Sequence, residues 1–162
     1  MSENDIKSMY LRSALAWYFK MKIPLISTIW LALFSLDAAS TEFVVVVNKN
    51  NTINSLSKRE VIDIYMGRYL TFPDGEIAQP LDLPSDSQFK NDFYLQLVNK
   101  NEQKINAYWA RLLFSGRAKP PIAANSIEDA MNKLYNSQYS LGYIPIEQLT
   151  DGVKVVYRFN EN

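Results

Sequence analysis

A continuous apolar run, Phe43-Val44-Val45-Val46-Val47, is the feature that most constrains how this chain can fold. A strand without polar alternation is buried on both faces, which is typical of the centre of a parallel sheet covered by helices. Further apolar runs at residues 77–83, 141–145 and 153–157 alternate with segments of helical periodicity. This alternation predicts an α/β fold, with a mixed sheet flanked by helices.

Three helix starts carry the capping-box pattern, in which a serine is followed three residues later by a side chain that can reach back to it. These pairs are Ser57 with Glu60, Ser85 with Gln88, and Ser126 with Asp129. A fourth helix is predicted over residues 102–114, because its apolar residues recur at helical spacing. Those apolar residues are Ile105, Tyr108, Trp109, Leu112 and Leu113.

The composition excludes several kinds of chemistry. The chain has no cysteine and no histidine, so zinc sites, thiol nucleophiles, Ser-His-Asp triads and histidine bases are excluded. With 17 basic and 17 acidic residues it has no general attraction for nucleic acid. We therefore expect a protein that is not an enzyme, with no cofactor, no metal and no nucleic-acid partner.

The first 40 residues have the pattern of a secretory signal peptide. Lys20 and Lys22 precede an apolar stretch at residues 23–34, and the small residues Ala38-Ala39-Ser40 follow it. We expect cleavage near Ser40 and a periplasmic or secreted protein, with residues 41–162 forming one domain. Residues 1–20 would be an over-long gene start or an extended basic region. The alternative is an uncleaved amphipathic or anchoring helix.

The candidate ligand site is Leu83-Pro84-Ser85-Asp86-Ser87, at a predicted strand-to-helix junction. The free N–H groups of a helix start attract anions, and the hydroxyls of Ser85 and Ser87 could add donors. Ordinary helix capping is the alternative, with Asp86 complementing the helix dipole. The charge of Asp86 would repel a bare anion, so a guest there would have to be protonated and offer a donor.

Other polar and aromatic residues are weaker candidates. The arginines could bind an anion or simply solvate exposed faces; they are Arg59, Arg68, Arg111 and Arg117. Four aromatic residues could line a cleft, although their helical spacing favours the core; they are Tyr65, Tyr69, Trp109 and Tyr143. Asp82 and Asp86 are four residues apart across a predicted turn, and nothing orients them as an acid–base or metal pair.

Several segments, in order, resemble one known family. They are Val44-Val45-Val46-Val47-Asn48, Leu56-Ser57, Ile64-Tyr65-Met66-Gly67, Phe72-Pro73-Asp74-Gly75, Leu83-Pro84-Ser85-Asp86-Ser87 with Phe93, then Trp109, Gly116 and Leu141-Gly142-Tyr143-Ile144. The order and spacing resemble those of phosphate ABC transporter substrate-binding proteins, over nearly all of residues 43–145. The resemblance implies the type 2 periplasmic-binding-protein fold, in a short, truncated form, and places Ser85, Asp86 and Ser87 in the phosphate loop.

The sequence departs from that family where the ligand would bind. The family's loop reads Arg-Ser-Asp-Gly-Ser-Gly-Thr, whereas here its arginine is replaced by Leu83 or Pro84 and its glycines are absent. The resemblance thus implies an exported solute-binding-like protein that binds phosphate or a similar small oxyanion weakly, with a membrane permease as partner. The alternative is an interaction or sensor module with a degenerate ligand cleft, whose partner would be a signalling receptor.

Overall fold

The computed structural model describes residues 41–85 and 87–159, and the predicted signal peptide, 1–40, lies outside the described residues. Five strands are formed: β1 (Phe43–Asn48), β2 (Gln79–Asp82), β3 (Ile122–Ala123), β4 (Ser140–Pro145) and β5 (Val153–Arg158). Four α-helices accompany them: α1 (Lys58–Tyr65), α2 (Gln88–Val98), α3 (Glu102–Phe114) and α4 (Ile127–Asn136). A short 3-10 helix covers Ile146–Gln148. Among the described residues, no helix combines the length and the apolar character needed to cross a membrane.

The strands form one mixed sheet in the order β3-β2-β4-β1-β5. The apolar run occupies β1, and every residue of that strand is buried. β1 pairs antiparallel with both β4 and β5, whereas β2 pairs parallel with β3 and β4. The predicted mixed sheet is therefore confirmed, but the expectation of a parallel centre is wrong. Burial on both faces requires cover on both faces, and it does not depend on strand direction.

Two apolar layers cover the sheet. Phe43, Val45 and Val47 face a large core that includes residues of α1, α2 and α3. Val44 and Val46 face a smaller core built with Met131 and Leu134 of α4. Each buried valine contributes roughly 1.5–3 kcal/mol to stability by leaving water. The strand therefore holds both layers together, and it fixes where the ends of its neighbours lie.

The predicted helices agree with the structure in most of their bounds. α1 follows Ser57 with a complete capping box, and α3 runs from Glu102 to Phe114 as its apolar spacing indicates. α1 ends before Gly67, whose φ of 65° confirms the predicted left-handed stop. At that position a Cβ would come within 2.7 Å of the Trp109 ring, so only glycine fits there. The start of α2 differs from the prediction.

Candidate functional site

The start of α2 is where the predicted ligand residues lie. The sequence pattern predicts Ser85 as the cap with Gln88 completing a box, but the helix begins at Gln88 and its N-cap is Ser87. Ser85 is exposed and Ser87 is half-buried, while Asp86 lies outside the described residues. The Ser87 side chain makes no cap hydrogen bond. The predicted capping box at Ser85 is therefore wrong.

A buried ion pair lies beneath the start of α2. Lys90, in the first turn, places its Nζ 3.0 Å from Oδ2 of Asp82, the last residue of β2. Both side chains are at least nine-tenths buried. Glu102 at the start of α3 lies farther away, with its Oε1 4.0 Å from the Lys90 Nζ. Because two buried charges are stable only when paired, this contact ties the first turn of α2 to the end of β2.

Two tyrosines complete the coordination of the Asp82 carboxylate. The Tyr143 hydroxyl donates to Oδ1 at 2.6 Å, and the Tyr94 hydroxyl donates to Oδ2 at 3.3 Å. The Leu83 N–H donates to the Tyr143 hydroxyl at 3.1 Å. Burial, together with the nearby Asp82 charge, raises the pKa of both tyrosines well above the ordinary value. Both hydroxyls therefore stay protonated and act as donors.

Aromatic packing holds these donors in place. The Phe93 and Tyr143 rings are stacked at a centroid distance of 3.7 Å and are nearly parallel. Tyr65 packs edge-on against both rings, at 4.9 Å from Phe93 and 5.8 Å from Tyr143. Tyr65, Tyr143 and Trp109 are therefore core residues, whereas Tyr69 is 63% exposed. The alternative that these aromatics line a cleft does not hold for the three buried ones.

The polar cluster of Asp82, Lys90, Tyr94 and Tyr143 was not predicted from the sequence. A lysine in the first turn of a helix ordinarily extends into solvent, and Asp82 has the appearance of a strand-end residue. One signal was available, because Lys90 and Tyr94 are four residues apart and share a face of α2. Phe93 and Leu97 mark that side of the helix as buried, so a lysine there needs an acidic partner.

Two sets of hydrogen-bond donors lie near the start of α2: a buried inner layer and an outer layer at the helix end. They differ in whether their donors are already bonded within the chain. In the inner layer, Lys90, Tyr94 and Tyr143 already surround the Asp82 carboxylate, which satisfies them. The outer layer consists of the first N–H groups of α2. One of them, the Lys90 N–H, is already used, because it donates to the Ser87 carbonyl at 3.1 Å. No side chain among residues 41–85 and 87–159 caps the N–H of Gln88 or Phe89. The outer layer, consisting of these amides and the serine hydroxyls, therefore holds the donors that the Asp82 carboxylate does not occupy.

The four candidate arginines are not brought together. Arg68 binds Asp63 at 2.8 Å, and Arg59 lies 3.9 Å from the same carboxylate. Arg111 on α3 lies over the Tyr108 ring at 5.8 Å, and Arg117 is exposed after the end of that helix. Neither Asp63 contact involves α2. Among the described residues, no hydrogen bond or ion pair joins an arginine of this set to Ser85 or Ser87.

The grooves found elsewhere on the domain do not include Ser85 or Ser87. One of about 410 Å³ lies between the start of α1 and residues 69–73, and another of about 420 Å³ lies between residues 55–58 and β5. Both contain Ser57, whose hydroxyl already caps α1. Within residues 41–85 and 87–159, no cluster of three acidic side chains could hold a metal ion. Asp82 contacts Lys90 and two tyrosines, whereas Asp86, with which it was considered as a pair, lies outside the described residues.

Comparison with solved structures identifies the fold. The chain is similar to a structure assigned to a phosphate ABC transporter substrate-binding protein, with bound phosphate, from Clostridium perfringens, with a TM-score of 0.57 and 14% identity. An ABC-type phosphate transport receptor from Vibrio cholerae gives 0.56 and 14%, and a possible phosphate binding protein from Planctomyces limnophilus gives 0.52 and 16%. The matches cover 71% of this chain and 44%, 45% and 40% of those chains.

These likenesses confirm the fold inferred from the sequence resemblance, a short α/β form of the fold of phosphate-binding proteins. The chain spans less than half the length of the structures it matches. No protein-family model matches the sequence, and no curated protein matches it. At this identity the likeness concerns the fold, and the ligand has to be argued from the residues of this chain.

Proposed function

We propose that this chain is a solute-binding domain that binds phosphate or a similar small oxyanion weakly at the start of α2. Ser85, Asp86 and Ser87 would contact the ligand, together with the N–H groups of Gln88 and Phe89. The observation that carries the proposal is the unused cap of Ser87. It lies on a fold shared with a structure that contains bound phosphate.

The other helix starts show why an unused cap is informative. Ser57, Asn101 and Ser126 each accept a hydrogen bond from the third helical residue and so cap α1, α3 and α4. Ser87 has the same position and a competent hydroxyl, yet makes no such bond. The positive end of α2 is thus left to solvent or to a ligand, and an oxyanion complements both its N–H groups and its dipole.

The buried cluster beneath this start supports weak rather than tight binding. The charge of Lys90 is already matched by Asp82, so it adds little attraction for an anion outside. Asp86 adds a negative charge next to the serines and favours a guest that carries a proton. Exposed backbone N–H groups and hydroxyls bind an anion less strongly than an arginine side chain does, so they give modest affinity for an oxyanion. We therefore expect dissociation constants in the millimolar range for phosphate.

A substitution at the cap tests the proposal. Ser87→Asp supplies a carboxylate that caps α2 from within the chain and competes with any external anion. Ser57→Asp adds the same charge at the start of α1 and serves as the matched control. Isothermal titration with phosphate should give saturable heat for the unmodified protein and for Ser57→Asp, and none for Ser87→Asp. Sulfate and acetate, which carry no proton at neutral pH, should give weaker heat than phosphate. Saturable heat that survives in Ser87→Asp would place the ligand elsewhere.

A second candidate function follows from the inner layer. Asp82 satisfies Lys90, Tyr94 and Tyr143, as expected for an interaction module whose ligand site is degenerate. Under this alternative, titration with all three anions gives no heat. Co-purification of the tagged protein from envelope extracts, before and after Ser87→Asp, would then return the same partner in both cases.

Export and a membrane permease as partner belong to the same proposal. They depend on the basic, apolar and small-residue pattern of residues 1–40. Mass spectrometry of the protein recovered from the producing cell tests export directly. An amino terminus near Thr41 is expected, and a chain that retains Met1 or Met21 would contradict cleavage near Ser40.

A further inference from the structure

Helix α3 has a second apolar face that points to solvent. Its core face carries Ile105 and Trp109, which are both buried. Ala107, Ala110 and Phe114 follow the spacing i, i+3, i+7 and so lie together on another face, where all three are exposed. Phe114 is 92% exposed and its neighbour Leu113 is 55% exposed. Exposed apolar residues that share one helix face, unlike isolated ones, indicate a surface that contacts something else.

This face lies in the most basic part of the domain. Residues 103–127 contain four basic residues and no acidic one, in a chain that is neutral overall. The basic residues are Lys104, Arg111, Arg117 and Lys119, and all are exposed. Within the part of the chain that the structure describes, none of them forms an ion pair. We call residues 104–119 the basic helix end.

The basic helix end is open to solvent where the helix stops, and a groove lies beside it. After Phe114 the chain turns at Ser115 and Gly116, and a Cβ added at Gly116 would meet nothing within 4 Å. Along the adjacent side, a groove of about 450 Å³ is lined by basic side chains and Tyr108. Its basic residues are Lys100, Lys104 and Arg111.

We propose that the basic helix end docks on the anionic surface of a lipid membrane. Phe114 and Leu113 would enter the interfacial region, while the exposed lysines and arginines contact headgroup phosphates. Charge complementarity and the exposed apolar side chains of Leu113 and Phe114 both favour this occupant. A second copy of the chain is disfavoured, because a two-fold contact would bring like charges together. The proposal does not depend on oxyanion binding at α2.

The absence of cysteine permits a direct test on the full chain. Ala110→Cys places a single thiol on the exposed face of α3, and Ser55→Cys places one at an exposed position before α1. Each is labelled with an environment-sensitive fluorophore. The labelled proteins are titrated with vesicles of phosphatidylcholine alone and of phosphatidylcholine with phosphatidylglycerol. The Ser55 label controls for attachment through the apolar stretch at residues 23–34.

We expect the label at position 110 to brighten and shift to the blue only with anionic vesicles, while the label at position 55 is unchanged. Phe114→Ser, and the pair Arg111→Glu with Arg117→Glu, should each weaken the apparent affinity, the charge reversal by about tenfold or more. High salt should also weaken it. Circular dichroism of the variants checks that they fold.

Three outcomes would overturn the proposal. The first is an equal response of both labels, which would indicate attachment through another part of the chain. The second is a response at position 110 to soluble polyglutamate but not to vesicles, which would indicate an acidic protein partner. The third is a signal that depends on protein concentration in the absence of lipid, which would indicate self-association.

Discussion

The starts of α1 and α2 begin with the same residue type and use it differently. At α1, the Ser57 hydroxyl accepts the Glu60 N–H at 3.3 Å, and the Glu60 carboxylate accepts the Ser57 N–H at 2.7 Å. At α2, Ser87 makes no side-chain cap bond. The two starts also differ in their third helical residue. The Glu60 side chain reaches back to Ser57, whereas the Lys90 side chain extends inward to Asp82 and the Lys90 N–H donates to the Ser87 carbonyl.

This comparison separates stability from binding. The closed start of α1 is exposed and is satisfied within the chain. The open start of α2 is anchored from below by a buried ion pair, so its geometry does not depend on a cap. A helix start held in place by its core is free to offer its outer N–H groups to a ligand. The predictions that follow test these two roles, from the largest expected effect to the smallest.

Breaking the buried anchor should have the largest effect. Lys90→Met leaves the Asp82 carboxylate buried with only its two tyrosine donors, and we expect a loss of about 3–5 kcal/mol in the free energy of unfolding. Urea denaturation measures it. The matched control is Arg68→Met. The Arg68 side chain is 62% exposed, and its partner Asp63 keeps Arg59 nearby. That loss should be about 1 kcal/mol or less.

The double variant Lys90→Met with Asp82→Leu sharpens this prediction. It removes both charges, so a large part of the lost stability should return. An effect of Lys90→Met no larger than that of Arg68→Met would contradict the claim that the start of α2 is anchored by this pair.

Alkaline pH should loosen the same anchor. The pKa values of Tyr94 and Tyr143 are raised in the folded protein by burial and by Asp82. Below about pH 10, where tyrosine is protonated in both states, their contribution is complete. Above it the unfolded chain releases protons that the folded chain retains, so stability falls by about 1.4 kcal/mol per pH unit for each such tyrosine.

Urea midpoints measured between pH 9 and pH 11 test this dependence. Tyr143→Phe has one ionisable hydroxyl fewer in the cluster, so its stability should fall less steeply over that range. An equal slope for both proteins would show that Tyr143 ionises equally in the folded and unfolded states.

Removing the two serine hydroxyls compares the caps directly. Ser57→Ala should cost about 1 kcal/mol, since it opens a capping box. Ser87→Ala should cost no more than a few tenths, because its hydroxyl caps nothing within the chain. Thermal unfolding in phosphate-free buffer measures both. Equal losses at the two positions would remove the distinction between a closed and an open helix start.

Installing a cap at α2 should have a small effect of opposite sign. Ser87→Asp in phosphate-free buffer should raise stability by roughly 0.3–1 kcal/mol, because its carboxylate meets uncapped N–H groups and the positive helix end. Thermal unfolding with and without added phosphate measures this gain. A loss of stability in Ser87→Asp would show that the N–H groups of the first turn are already satisfied.

The fold could be predicted further than the site. β1 followed from its run of valines, and α3 from a strong apolar period that ends at Ser115 and Gly116. The direction of β1 did not follow, because burial on both faces is compatible with parallel and antiparallel neighbours. The two-residue strand β3 is too short to have a pattern of its own.

For the predicted site residues, the structure confirms only that Ser85 and Ser87 lie between a strand and a helix. The spacing of Ser85 and Gln88 fits a capping box, yet α2 starts at Gln88, and its first turn is tied to β2 by the contact of Lys90 with Asp82. That partnership is tertiary, and local spacing does not encode it. The roles of Ser85, Asp86 and Ser87 in ligand binding stay a prediction.

Phosphate titration followed by backbone amide NMR tests the central claim most directly. The account predicts saturable shifts at millimolar phosphate that are centred on the N–H groups of Gln88 and Phe89 and are absent in Ser87→Asp. The absence of saturable shifts there, or their appearance at Arg59, Arg68 or the basic helix end instead, would contradict it.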